Sequence, residues 1–426
     1  MNQAIRFKLF LMMVLEFFIW GAWFPLIFGY LPSLGFSASE QSWILNAFPI
    51  AAIVGMFFSN QFADRNFAAE KFLAASHLIG GVAMLSLAWV TSFWPFFLLM
   101  LVHCLLYVPT ISISNSIAFA NMKDAQSEFG IVRMGGTIGW VLAAWPFTFI
   151  LVDWDKVRAT NPQGMVDWLG TVLGSGLTGA ALQSGTTWTF IVAGAASLLL
   201  AAFSLTLPHV PPKRVGEGAG SGLAWLQSIK LLAIPFILVL WIVTFVDATV
   251  HNLFFNWAGR FLSAVGIPGN WIMPVMSIGQ VAEILTMAVL GTALKALGWR
   301  PTMIVGILGH AARFAVFAFF PEHPALVVAI NILHGICYAF FFATVYIFVD
   351  EFFPKDARAS AQGLFNLMIL GFGPLVANVL GPQLIESFNT GGVVDFKSLF
   401  LMPCAAAVGA ALVLALFFRP PSKRTV

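Results

Sequence analysis

A chain of 426 residues that is 60% hydrophobic and only 9% charged, with a mean hydropathy of +0.90, carries too much apolar surface to fold in water. Lipid must be its solvent, and that excludes soluble enzymes and soluble regulators at once. The net charge is a modest +3, and its distribution follows membrane topology without any need for a nucleic-acid partner.

An apolar stretch of roughly 20 residues crosses a bilayer as a helix. About twelve such stretches follow one another, near 8–32, 39–63, 72–92, 94–121, 127–152, 184–207, 229–258, 269–298, 300–320, 323–350, 358–385 and 396–419. They are continuously apolar, so an all-α integral membrane protein is expected and a transmembrane barrel is not. Arg6 and Lys8 precede the first span without a small-residue cleavage site, which predicts no cleavable leader. A polar group at membrane depth is expensive, so each one inside a span is a candidate for function.

The first span holds Glu16, just before Trp20-Gly21-Ala22-Trp23. It reads equally as a protonatable carboxyl or as a neutral, shielded core residue. After the second span comes Asn60-Gln61-Phe62-Ala63-Asp64-Arg65, a short charged loop. In the fifth span Arg133, Thr137 and Trp140 share one helical face. They offer a guanidinium, a hydroxyl and an aromatic plate to a flat polar solute, and Gly135, Gly136 and Gly139 allow close helix packing. A structural Arg133 paired with Glu128 or Asp124 is the alternative. The segment 153–183 reads as a polar outer loop with a turn at Asn161-Pro162-Gln163-Gly164.

Pro208 to Gly222 is rich in Pro, Gly and basic residues and reads as a flexible linker. It divides the chain into 1–207, a six-helix bundle; 208–228, a cytoplasmic linker; and 229–426, a second six-helix bundle. The seventh span carries Asp247, Thr249, His251 and Asn252. Asp247 and His251 are one turn apart and suited to a hydrogen bond; Thr249 and Asn252 form a second polar pair. The eighth carries Gln280 and Glu283 on one face. A desolvated carboxyl there is suited to carry a proton beside an amide that contacts solute. Pairing of Glu283 with Arg313 of the ninth span is the competing structural role. In the tenth span His334 and Tyr338 lie one turn apart, beside Phe340, Phe341 and Phe342, and serve either stacking or packing. Cys104, Cys337 and Cys404 lie in apolar spans without metal spacing and read as core residues.

With an even number of spans, both termini share a side with Arg6, Lys8, Arg65, Lys71, Lys123, Lys213, Arg214, Lys230, Lys295, Arg300, Lys355, Arg358, Arg419, Lys423 and Arg424. Only Lys156, Arg158, Arg260 and Lys397 fall opposite. Excess Lys and Arg mark the cytoplasmic side, so both termini are expected there. Paired six-helix halves point to a secondary transporter with a site at membrane depth. No phosphate-binding Gly-rich loop, metal-spaced cluster or Gly-x-Ser-x-Gly elbow is present, which argues against an ATP-driven pump and against an enzyme.

The Asp64-Arg65 loop resembles the loop signature of the major facilitator superfamily, with Asn60 where that signature has Gly. Trp20-Gly21-Ala22-Trp23, Tyr107-Val108-Pro109-Thr110, Arg133 to Gly139, Thr206 to Pro211, Ser277 to Glu283 and Arg358-Ala359-Ser360-Ala361-Gln362-Gly363 together resemble the nucleoside:proton symporter family of that superfamily. The resemblance implies a twelve-helix facilitator fold, alternating access and import of nucleosides by proton symport. It implies solute contacts at Arg133, Thr137, Asn252 and Gln280, and coupling at Glu283. Thr249 stands where the family has Gln, His334 where it has Tyr, Trp140 where it has Phe, Glu16 where it has Gln, and Ala339 where it has Asp.

These readings lead to solute binding by Arg133, Thr137, Trp140, Thr249, Asn252, Gln280, His334 and Tyr338. Glu283 is the expected proton carrier, with Asp247 or Glu16 offsetting the acid missing at Ala339. The expected ligands are a nucleoside or similar small polar solute and protons, with no other cofactor, no metal and no nucleic acid. A monomer in the bacterial inner membrane is expected. A carrier of a sugar or nucleoside-like metabolite is the nearest rival, and a solute-sensing receptor the rival from another class.

Overall fold

The computed structural model describes residues 3–55, 66–122, 125–212, 229–353 and 358–420. The Asn60–Arg65 loop and most of the predicted linker lie outside the described residues. Among the described residues, ten helices are long and apolar enough to cross a membrane. The bilayer leaves no water to satisfy the backbone, so each apolar run closes its own hydrogen bonds as a helix.

The helices are α1 (Gln3–Ser33), α2 (Ala38–Leu45), α3 (Ala47–Val54), α4 (Ala69–Trp89), α5 (Phe93–Ala120), α6 (Ala125–Ala144), α7 (Thr187–Ser204), α8 (Pro235–Ala264), α9 (Gly269–Leu297), α10 (Trp299–Phe319), α11 (Pro324–Phe352), α12 (Ala361–Ser387) and α13 (Phe396–Phe417). Two expected spans are interrupted. The second divides at Asn46 into α2 and α3, because Pro49 has no N–H and its ring crowds the carbonyl of Leu45. The fifth ends at Ala144, two residues before Pro146, since the residue preceding a proline is disfavoured in the helical region.

The segment expected as a polar loop holds three short helices, Trp154–Thr160, Gly164–Gly174 and Gly179–Gly185. Its turn falls where the sequence put it: Asn161 and Gly164 both have positive φ, 48° and 82°. Inside α11, residues Tyr338–Ala343 form a wider π-type turn, and Leu367–Phe372 do the same in α12.

Packing groups the chain into two units. Unit 1 comprises Met1–Arg214 with Trp257–Ser277, and unit 2 comprises Val215–Asn256 with Ile278–Val426. In unit 1, α1 lies close against α6. A Cβ added at Gly139 would stand 2.0 Å from the Val14 carbonyl oxygen, so only glycine admits that approach. Also in unit 1, the turn between α8 and α9 is clasped by the segment 148–177. Asn270 donates its amide to the carbonyls of Thr148 and Leu173 at 3.2 and 3.3 Å. Trp271 Nε1 donates to the same Leu173 oxygen at 2.8 Å, and the Gly269 N–H to Leu177 at 3.2 Å. In unit 2, α9 and α11 meet at Gly335, where an added Cβ would stand 2.2 Å from the Glu283 nitrogen.

Candidate proton and solute sites

Five polar side chains gather in the interior of unit 2. Asp247 and His251 come from α8, His310 and Arg313 from α10, and His334 from α11. Asp247, His310 and Arg313 have no solvent exposure at all. Arg313 donates from one terminal nitrogen to His334 Nδ1 at 2.7 Å and from the other to His310 Nδ1 at 3.2 Å. A guanidinium only donates, so both Nδ1 atoms are acceptors and each neutral ring carries its hydrogen on Nε2. His310 Nε2 lies 3.7 Å from Asp247 Oδ2, longer than a hydrogen bond. The His310 imidazole therefore stands between the guanidinium and the carboxylate, hydrogen-bonded to the first and not to the second.

The cluster is under-satisfied. Both Asp247 oxygens, His310 Nε2, Arg313 Nε and His251 Nδ1 are buried without hydrogen-bond partners. Each such atom costs its desolvation energy, about 1–3 kcal/mol, and groups left this way call for a water, an ion or a ligand. Phe254 helps hold the charge: the Arg313 guanidinium carbon lies 3.9 Å from its ring centroid. His251 stacks on His334 with centroids 4.7 Å apart.

A second cluster is buried in unit 1. Glu16 of α1 is fully buried and satisfied on both oxygens. Thr110 Oγ1 lies 2.7 Å from Oε1, and His77 Nε2 lies 3.0 Å from Oε2. His77 Nδ1 lies 3.0 Å from Ser197 Oγ, which also donates to the His77 carbonyl. Tyr107 donates its hydroxyl to the Glu16 carbonyl at 2.6 Å.

The residues picked from sequence fall into both units. Arg133 of α6 lies over the Phe17 ring at 4.3 Å, and Trp140 sets its edge against Trp20 at 5.1 Å, so both meet α1. Thr137, between them, is half-buried. The expected Asp247–His251 hydrogen bond is not formed, since neither Asp247 oxygen has a partner. Asp247 faces α10 across to His310, while His251 turns to His334. The Thr249–Asn252 pair is also replaced: Thr249 donates to the Phe245 carbonyl at 2.9 Å and Asn252 to that of Ala248 at 2.8 Å, the usual outlet for such groups in an apolar helix. Gln280 is buried with Oε1 unpartnered. Glu283 and Tyr338 are half-buried; the Tyr338 ring lies 6.4 Å from that of His251. All three cysteines are free thiols.

Sequence reading missed His310, His77, Thr110 and Ser197. His310 stands three residues before Arg313, a spacing that puts both on one face and was the signal available. His77 and Thr110 reach Glu16 across 61 and 94 residues of chain and Ser197 reaches His77 across 120, and no local pattern reports that.

The family model for the nucleoside H+ symporter matches residues 1–173 and 164–423. The chain belongs to the nucleoside H+ symporter family. It is 32% identical over 430 residues to "Putative nucleoside transporter YegT" of Escherichia coli (strain K12), covering 97% of this chain and 93% of that one. It is 25% identical over 435 residues to "Nucleoside permease NupG" of the same organism, covering 98% and 95%. The crystal structure of nucleoside transporter NupG matches the fold with a TM-score of 0.80 at 24% identity, over 99% of this chain and 100% of that one.

The symporter therefore has the helical fold of the major facilitator superfamily, as its sequence led one to expect, and imports nucleosides together with protons. Among its described residues, no group of three His, Cys, Asp or Glu is arranged to hold a metal ion.

Proposed function

We propose that proton-coupled nucleoside import in this symporter runs through Asp247, with solute bound by Arg133, Thr137, Trp140, Thr249, Asn252, Gln280, His334 and Tyr338. The observation that supports this most is the unpartnered Asp247 carboxyl beside His310 and Arg313. A proton on Asp247 removes the counter-charge of Arg313. The guanidinium then remains the one fixed charge of the cluster, with its Nε–H open to a hydrogen-bond acceptor. Nucleosides supply such acceptors in their ribose hydroxyls and base carbonyls. Solute binding is thereby favoured when the proton is aboard, which is what symport requires.

Asp247 takes the role that sequence reading gave first to Glu283, because Asp247 has no exposure whereas Glu283 is half-buried at the close contact of α9 with α11. Glu283 remains a polar neighbour of Gln280 on the solute-binding face. The segments 1–207 and 229–426 act as two six-helix halves, joined by 208–228, that alternate access. Both termini lie in the cytoplasm and the membrane is the bacterial inner membrane.

The test is uptake of radiolabelled uridine and adenosine into proteoliposomes, with an inward proton gradient and after an ionophore collapses it. Wild type is expected to accumulate nucleoside only with the gradient. Asp247→Asn is expected to retain exchange of internal for external nucleoside and to lose accumulation. Full accumulation by Asp247→Asn, with loss in Glu283→Gln, would return the proton to Glu283.

A further inference from the structure

The buried Glu16 cluster of unit 1 is not needed by the coupling scheme above, yet its hydrogen bonds imply chemistry. The links run in one line, from the Tyr107 carbonyl to Thr110 Oγ1, to Glu16 Oε1, then from Glu16 Oε2 to His77 Nε2, from His77 Nδ1 to Ser197 Oγ, and from there to the His77 carbonyl. That is five links between heavy atoms, and each needs one proton. Thr110 and Ser197 supply one each and a neutral imidazole supplies a third; an ionised glutamate supplies none. Two links are therefore vacant when Glu16 is ionised and His77 neutral.

An added proton fills a vacancy without moving a heavy atom. With Glu16 ionised alone, Ser197 donates to His77 Nδ1 and His77 Nε2 donates to Glu16. With one proton more, Ser197 rotates to the His77 carbonyl and the added proton sits on Nδ1, which donates to Ser197, while the proton already between Nε2 and Oε2 stays in that link. The first state leaves a lone negative charge in an interior where Glu16 is 0% and His77 1% exposed; the second is neutral overall.

Other titratable or charged groups face this pair from the surrounding helices. On α5 they are His103, whose Nδ1 donates to the Gly80 carbonyl and whose ring stacks on Tyr107, then Tyr107 itself and Cys104. On α6 there is Arg133, held over Phe17. None of them has a hydrogen bond to the Glu16 carboxyl. We infer that Glu16 and His77 form a second proton-binding site of this protein, separate from the Asp247 cluster, in which the Ser197 hydroxyl rotates between His77 Nδ1 and the His77 carbonyl.

The test is infrared spectroscopy of the reconstituted full chain, titrated from acid to alkaline pH. A protonated carboxyl has a C=O band well apart from that of a carboxylate. Wild type is expected to lose intensity in that band as pH rises. Asp247→Asn is expected to keep this component, and Glu16→Gln to abolish it. His77→Gln removes the base that shares the proton, so the Glu16 band is expected to persist across the whole range. Should Glu16→Gln fail to fold, the His77→Gln variant decides alone. A spectrum that Glu16→Gln leaves unchanged, or a band that His77→Gln leaves titrating as in wild type, overturns the assignment. Neither result depends on transport, so this inference and the import scheme fail separately.

Discussion

Arg313 fixes the tautomers of two histidines at once, and it does so because its planar fork presents two parallel donors. Lysine keeps the charge but has no fork. Arg313→Lys is therefore expected to release one imidazole, unsettling the His310 ring that stands between the guanidinium and Asp247. Loss of one buried hydrogen bond to a charged group corresponds to roughly a ten- to hundredfold fall. Gradient-driven nucleoside accumulation should drop by that factor, while exchange should fall much less; equal loss of both would mean that Arg313 only supports the fold. The sequence exposed part of this. Asp247, His334 and Arg313 stood out because charged and polar groups at membrane depth are rare. Their pairing did not, because Arg313 and His334 come from different helices and His310 comes to lie 3.7 Å from Asp247 across 63 residues. Asp247 and His251 share a helical face in sequence, yet a neighbouring helix supplies each with a better contact.

At the scale of elements, small residues decide which helices can touch. Gly139 of α6 would place a methyl 2.0 Å from the Val14 carbonyl oxygen of α1, while Gly291 of α9 has open space beyond it. Gly139→Ala is expected to force α1 and α6 apart and cost about 1–3 kcal/mol or more, as overpacked sites do. Gly291→Ala is expected to be tolerated. Thermal unfolding of the two purified variants checks this, and an unchanged midpoint for Gly139→Ala would refute the packing argument. The Gly135–Gly136–Gly139 stripe was legible because helical periodicity reveals one face. Pro49 and Pro146, as helix breakers, mark the breaks at Asn46 and Ala144 in the sequence itself. The π-type turns of α11 and α12 were not, since no residue type marks a wider turn.

For the whole molecule, the apolar runs announced an all-α membrane protein, and the mid-chain change of composition led to an expectation of two bundles. The sequence did not announce that Trp257–Ser277 packs with the N-terminal unit, because hydrophobic runs carry no label for the neighbour they will find. The asymmetry of basic residues does fix an expectation for topology. A fluorescent protein fused after Val426 is expected to fluoresce in intact cells. Alkaline phosphatase inserted beside Gly164, in the outer segment, is expected to be active there. The opposite pattern would reverse the membrane orientation given above.

The clasp of Asn270 and Trp271 on the 148–177 segment also bears on how the chain is made. A ribosome delivers residues in order, so the first six spans emerge while their partner, the turn after α8, is still unsynthesised. The carbonyls of Leu173 and Thr148 then wait while 97 and 122 further residues are made, roughly 5–24 seconds at ordinary translation speed. During that interval the N-terminal unit is unfinished, and a chaperone or the insertion machinery has its one opportunity to hold it. Maturation of the first half is thus set by synthesis of the second.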